Sequence, residues 1–323
     1  DNTPVILSFI NIIMSEELFK SKPFAEIIEN KSNSEPLFQL WGNYWYQHEI
    51  CILFADSNQG KSILAVDISI AIAAGKNFYC KQMSDVQEGV LYFDFELSDK
   101  QFCHRYSNGT MKYTNNLIRI GLNSAAINIK IDEDDILDEI KSQIRMHNTS
   151  KVLIIDNITF LCDSLVNSKS AIKLMKGLKT LKEKYGLSIL VLAHTPKRNQ
   201  SKPITQNDLQ GSKNLMNFCD SAIAIGSSTE GKEIKYLKHI KARSVKLEEE
   251  VVVLEISDNP YLHFNYLRMS EEDEHLTKKK TMSKITPELE EKILEMNEDG
   301  YSIREIANEL GIGKSSVGRF LNR

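Results

Sequence analysis

The sequence has no cysteine pair that could staple it. Its five cysteines, Cys51, Cys80, Cys103, Cys162 and Cys219, are odd in number, far apart and without a C-x-x-C spacing. That pattern argues against a disulfide framework or a zinc site and for a reducing compartment, with most of the thiols buried. Strong net charge is also missing. The formal value is −4 over 323 residues, so overall charge does not advertise nucleic acid, and any such contact must come from local basic patches. The apolar start, Pro4 to Met14, is too short to span a bilayer and lacks the basic leader and cleavage site of a signal peptide. These absences lead us to expect a cytoplasmic protein without a membrane anchor. The first residue is Asp1 rather than methionine, which leaves room for sequence upstream.

What is present is an ordinary globular composition, 41% hydrophobic and 26% charged, in a chain long enough for one large α/β domain and a small satellite. The rest is organised around Glu49 to Gly75. Glu49 to Phe54 reads as a buried strand. A long apolar run ending at Ala74 and Gly75 reads as a buried helix. Between them, Ala55-Asp56-Ser57-Asn58-Gln59-Gly60-Lys61-Ser62 has the form G-x-x-x-x-G-K-[ST], with Ala55 at the first glycine. In such a loop, successive backbone N–H groups and the new helix's N-terminus cradle phosphate. Lys61 would reach the β- and γ-phosphates, and the Ser62 hydroxyl would hold Mg²⁺. Alanine fits at 55 if its φ is negative, and Asn58 tolerates a left-handed conformation.

Residues 1–35 read as a helix-rich lead-in. The aromatic cluster Trp41, Tyr44, Trp45 and Tyr46 would either pack the core edge or flank a base. Gly89 to Glu96 reads as a strand ending in acids, followed by the capping box Ser98-Asp99-Lys100-Gln101. An acidic amphipathic helix is expected over 129–147, a strand over Lys151 to Asp156, a basic helix over Ser170 to Tyr185 and a strand over Leu187 to Ala193 that ends at His194. Residues 196–214 form a long polar loop, a length that is usually functional. Ser221–Ile225, Ile234–Lys241 and Glu249–Ile256 read as further strands, the last two as a hairpin. Alternating strands and helices predict a mainly parallel sheet covered on both faces, with ligands at the strands' carboxyl ends.

From about Leu267 to Ile285 the composition shifts to Glu271-Glu272-Asp273-Glu274 and Lys278-Lys279-Lys280, which reads as a linker over 266–285. The tail, 286–323, predicts three helices: Pro287 to Met296, one opened by the capping box Ser302-Ile303-Arg304-Glu305, and Lys314 to Leu321 after the turn Gly311-Ile312-Gly313. The spacing resembles a helix-turn-helix. Lys314, Ser315, Ser316, Arg319 and Asn322 would face duplex DNA, while Ile306, Ala307, Ile312, Val317 and Leu321 make a small core. A protein-interaction module of the same shape is the other reading.

The chemistry of nucleotide hydrolysis supplies the roles. Asp156 ends an apolar strand and would hold Mg²⁺ through water. Glu96 is the candidate for polarising the attacking water, with Asp94 as its competitor. His194 would sense the γ-phosphate or simply satisfy backbone groups. Lys241 and Arg243 lie on one strand face, either as a solvated pair or as cations reaching a neighbour's γ-phosphate.

The set Ala55–Ser62, Phe93-Asp94-Phe95-Glu96, Leu153-Ile154-Ile155-Asp156, Leu192-Ala193-His194 and Lys241-Ala242-Arg243 resembles the RecA-like ATPases. The nearest branch is that of the plasmid RepA hexameric helicases and DnaB-type replicative helicases, over about residues 36–265. The resemblance implies a RecA-like α/β fold, ATP and Mg²⁺, Glu96 as catalytic base, and Lys241 and Arg243 acting in trans in a ring, expected to be a hexamer. Leu209-Gln210-Gly211-Ser212 resembles the element following the family's mobile second loop. Single-stranded DNA in a central channel would meet loops at about 157–169 and 196–212, with Lys197, Arg198 and Lys202 as phosphate contacts. Ala55 and the added tail depart from the family's core. The tail suggests a plasmid or mobile-element protein that pairs a motor with a DNA-site reader. An ATP-gated DNA-binding regulator and a filament-forming recombination ATPase are the alternatives. No relaxase-like histidine cluster or polymerase-like acidic set is visible.

Overall fold

A computed structural model describes residues 21–32, 38–78, 87–107, 113–122, 132–161, 168–209, 212–277 and 286–322. The chain divides into two compact units, 1–38 and 39–323. In the first, helix α1 (Phe24–Ser32) has Phe24, Ile27 and Ile28 exposed. The lead-in before residue 21 lies outside the described residues. No described helix is long and apolar enough to cross a membrane.

The second unit opens with a small antiparallel ladder, β1 (Gln39–Trp41) on β2 (Trp45–Tyr46). The strands β3 (Ile50–Ala55), β4 (Gly89–Asp94), β5 (Leu117–Gly121), β6 (Ser150–Asp156), β7 (Ser188–His194) and β8 (Ser221–Ser227) follow, then β9 (Ile234–Lys241), β10 (Val251–Ser257) and β11 (His263–Ser270). They form one nine-stranded sheet in the order β11-β10-β9-β8-β3-β7-β6-β4-β5. From β8 to β5 every neighbouring pair is parallel, and β9 to β11 add an antiparallel meander at one edge. This is the RecA-like α/β architecture expected from the sequence.

Parallel strands buried on both faces need apolar residues at nearly every position, and β3 has them. Ile50, Ile52 and Phe54 join one core with Ile140 and Ile144 of α4 (Glu133–Met146) and Leu174 and Leu178 of α6 (Ser168–Tyr185). Cys51, Leu53 and Ala55 join the other with Leu64 and Ile68 of α2 (Lys61–Ala74) and with Trp41, Tyr44 and Trp45. The aromatic cluster is therefore core packing, with Trp41 and Tyr44 edge to face at 5.0 Å. Of the described cysteines, Cys51 and Cys219 are buried and Cys103 is exposed. Helix α3 (Asp99–Tyr106) starts at the expected capping box on Ser98, and a short α5 (Ile158–Leu161) follows β6.

Two expectations change. The polar loop after β7 is not wholly irregular: it holds a single turn at Gln206–Asp208 and passes into α7 (Ser212–Phe218). The sheet also runs past residue 265, since β11 reaches Ser270 and α8 (Glu272–His275) follows, so 266–275 is no linker. Strand β11 is an edge strand whose middle is exposed, Asn265 to Arg268, and such a strand has the polar composition of a loop. At the C-terminus, α9 (Pro287–Glu298), α10 (Ile303–Glu309) and α11 (Lys314–Leu321) bury Ile293, Ile306, Ala307 and Val317 together.

Asp67, buried inside α2, accepts the backbone N–H of Phe264 in β11 at 2.9 Å, tying the helix after the phosphate loop to the meander. Asp67→Ala removes this buried acceptor and is expected to cost about 1–3 kcal/mol. A urea unfolding midpoint measures it, with Asp67→Asn, which keeps an acceptor, losing less.

Candidate nucleotide site

The site lies at the carboxyl ends of the parallel strands. Pairing β3 with β7 sets Ala55 beside His194, and pairing β4 with β6 sets Asp94 beside Asp156. The loop after β3 keeps the left-handed conformation at Asn58 (φ 60) and Gly60 (φ 88), whereas Ala55 is an ordinary strand residue. A glycine is therefore unnecessary at 55. At Gly60 it is required twice: by its φ, and because a Cβ there would lie 2.6 Å from Phe264 Cζ. Gly60 caps α2 without any side-chain cap, which leaves the helix's first N–H groups directed at the loop. Gln59 is fixed from the sheet by Ser227, whose hydroxyl donates to Oε1 at 2.6 Å.

Around this loop is a cleft of about 430 Å³, lined by Ser57, Asn58, Gly60, Lys61, Ser62, Glu96, Asp156 and His194 among others. Lys61 is 6% exposed. Its ammonium donates to the carbonyls of Ala55 (3.2 Å) and Asp56 (3.1 Å) and lies 3.1 Å from His194 Nδ1. Burial lowers the Lys61 pKa, opposed by the charges of Asp156 and Glu96. The imidazole thus presents Nδ1 to Lys61 and Nε2 to the side of Glu96 and Asn157. Nε2 is 3.9 Å from Glu96 Oε1. His194 and, behind it, Lys61 hold the Glu96 carboxyl below its usual range against partial burial. Asn157 sits between them: its Nδ2 donates to Glu96 Oε1 and lies 3.2 Å from His194 Nε2.

Asp156 is buried and accepts the Tyr92 hydroxyl at 2.8 Å and that of Ser62. Burial pushes its carboxyl up to about 6. A buried carboxylate beside a serine hydroxyl, both hard oxygen donors, fits a divalent cation shared with phosphates, the manner in which Mg²⁺ is commonly held. No cluster of three or more His, Cys, Asp or Glu suited to a metal lies among the described residues.

Asp94, the competitor of Glu96, is occupied elsewhere. It is buried, pairs with Arg119 at 2.9 Å, and accepts the N–H groups of Glu96 (3.1 Å) and Leu97 (3.0 Å). It shapes the turn that presents Glu96. Lys241 and Arg243 are not brought to this chain's phosphate loop. They sit beyond the opposite end of the strands, where β9 runs antiparallel to β8 and Lys241 pairs with Ala222 near the start of β8. Only Lys241 belongs to the strand; Arg243 lies in the bend after it. Both heads reach the turn between α7 and β8, Lys241 to the carbonyls of Met216 and Cys219, Arg243 to Asn217 O and Asp220. Arg243 remains 53% exposed along its side chain.

Of the loop cations, Lys197 and Lys202 are exposed, but Arg198 is half-buried and turns back on the loop, its Nη2 donating to Lys202 O with its guanidinium near the Tyr236 hydroxyl. Residues 162–167, Gln210 and Gly211 lie outside the described residues. In α11, Lys314, Ser315, Arg319 and the following Asn322 are exposed and Ser316 is half-buried. Sequence reasoning missed Asn157, Tyr92, Arg105 from α3, and the apolar wall of Ile256 and Leu262. Asn157 was signalled by its place beside Asp156 at a strand end. The others come from distant segments and carried no local mark.

A family model described as an AAA domain matches residues 16–200, more than half of the chain. No curated protein matches it.

The Asp156 shift gives a pH test. An acid raised in the folded state costs stability in its charged form: nothing well below 3.8, a growing amount between 3.8 and about 6, and the full amount above. The full cost is at most about 3 kcal/mol. Asp156→Asn is therefore expected to raise the melting temperature at pH 8, with the gain shrinking toward pH 4. Thermal melts across that range measure it.

Proposed function

The chain belongs to the AAA domain family, and on that premise we propose that it is a DNA-stimulated motor hydrolysing Mg-ATP between the subunits of a ring. Its membership of the P-loop ATPase class is the foundation. The observation that carries the reaction is the convergence of Lys61, Ser62, Glu96, Asp156 and His194 on one cleft.

The roles follow from charge and position. The N–H groups of the loop and Lys61 bind the β- and γ-phosphates. Ser62 and Asp156 hold Mg²⁺, which when bound neutralises phosphate charge. Glu96, ionised at neutral pH, orients water and accepts its proton. His194, joined to Lys61 by Nδ1 and facing Glu96 by Nε2, lies where loss of the γ-phosphate is felt. Arg105 lines the same cleft from α3 and adds a cation near the phosphates. Ile256 and Leu262 supply an apolar wall for the base.

Lys241 and Arg243 point away from their own phosphate loop, which is the placement a cation acting on a neighbour's nucleotide requires. This supports the ring of the RepA and DnaB type, expected to be a hexamer. Lys197 and Lys202 beside the site are the candidate contacts for single-stranded DNA, with Arg198 available only if it turns outward. The exposed cations of α11 suit duplex DNA, as a helix-turn-helix uses them, and the combination suits replication or mobilisation of a plasmid or mobile element. The same exposed face on α11 also favours the second reading, an ATP-gated DNA-binding regulator.

Mixing subunits tests the shared site. Glu96→Gln and Arg243→Ala are each expected to lower ATP turnover at least about 10³-fold while binding nucleotide nearly as before. Mixed together, they should recover measurable phosphate release, since some interfaces join an intact Glu96 to an intact Arg243. No recovery from a confirmed mixed oligomer counts against the trans role. For the tail, Lys314→Ala and Arg319→Ala should each reduce the salt dependence of duplex binding by about one unit of slope. Titrations at several salt concentrations measure this, and unchanged slopes would favour the protein-interaction reading.

A further inference from the structure

Glu272 stands in an acidic run that reads as solvent-exposed linker, yet it is 8% exposed. Its Oε1 accepts the backbone N–H of Ile204 at 2.7 Å and the Tyr236 hydroxyl at 3.2 Å. Its Oε2 pairs with Lys238, whose ammonium also donates to Ile204 O at 2.8 Å. The guanidinium of Arg198 lies near the Tyr236 hydroxyl and donates to Lys202 O. Further along the same segment, Thr277 N donates to Gln200 O at 3.1 Å. The imidazole of His275 stacks on the Tyr236 ring at 5.4 Å. The loop that leaves the nucleotide site at His194 is thus tied through its middle, at Gln200 and Ile204, to a short segment about 70 residues downstream.

A buried ion pair is weak as a stabiliser, because well-packed apolar side chains serve a core as well or better. Its distinctive effect is to select one conformation. This one fixes backbone groups of a polar loop that otherwise has little apolar anchoring beyond Ile204 and Leu209. We infer that Glu272 is a positioning residue, a latch that holds the loop after β7 in the arrangement displaying Lys197 and Lys202. A loop ordered in advance loses less entropy on meeting a polynucleotide, so the latch strengthens that contact without touching the phosphate cleft. The segment that forms the latch continues through 278–285 to the three C-terminal helices, which makes it the covalent path between loop and tail. The inference about DNA rests on the motor reading above; the inference about loop order does not.

The test uses the full chain with Glu272→Gln and Tyr236→Phe, both nearly isosteric, after melts confirm that each folds. Limited trypsin cleavage after Lys197 or Arg198 reads loop order directly and should be about tenfold faster in both variants. ATP turnover without DNA should stay within about twofold, and the single-stranded DNA concentration for half-maximal stimulation should rise about tenfold. Unchanged cleavage in both folded variants overturns the latch. A fall in basal turnover matching the fall in stimulated turnover also overturns it, because the residues would then support the fold generally. If DNA leaves the unmodified protein's turnover unchanged, the motor reading fails and the trypsin result alone decides the latch.

Discussion

The parallel ladder between β3, β7, β6 and β4 is the constraint on which the rest depends. Its register sets Ala55 opposite His194 and Asp94 opposite Asp156. Side chains alternate between faces along a strand, so a slip of one residue would turn each of these to the wrong side. Held in register, four strands deliver a phosphate loop, a buried acid, a half-exposed carboxylate and an imidazole to one end of the sheet. The two cores on either face hold that register, and the helix that completes the phosphate loop lies in one of them.

Charge within the cleft is arranged by the chain's own groups. The ammonium of Lys61 rests on the carbonyls of its own loop and on His194, near Asp156 and Glu96. Burial raises the Asp156 carboxyl toward its neutral form, while the hydroxyls of Tyr92 and Ser62 hold it in place. On the proposed assignment, a magnesium nucleotide would set an anion against Lys61 and a cation against Asp156, so that binding would relieve both desolvation costs together. Glu96 differs: half exposed and held ionised by its neighbours, it keeps access to water.

The legible parts of this molecule were those encoded locally. The phosphate loop, the acids closing β4 and β6 and the histidine closing β7 each follow a short apolar run, and period and spacing identify them. The capping boxes at Ser98 and Ser302 were equally plain and are present. What escaped was long-range or disguised. Arg105, Ile256 and Leu262 meet the loop only through folding. Asp94 had the right type and strand for a base, but the Arg119 pair, brought by β4–β5 pairing, and the N–H groups of Glu96 and Leu97 give it a different task. Arg198 looked like its neighbours Lys197 and Lys202, but it turns back to the Lys202 carbonyl beside Tyr236 of the distant strand β9. Glu272 was hidden most completely, because a buried acid within an acidic run has the composition of solvent-exposed chain.

The central claim is that this cleft turns over Mg-ATP. The most direct measurement is phosphate release by the purified full chain, with magnesium and with magnesium chelated, in the presence and absence of single-stranded DNA. Magnesium-dependent release that rises with DNA is the predicted result. Release that ignores magnesium, or nucleotide binding with no release under any condition, would contradict the account.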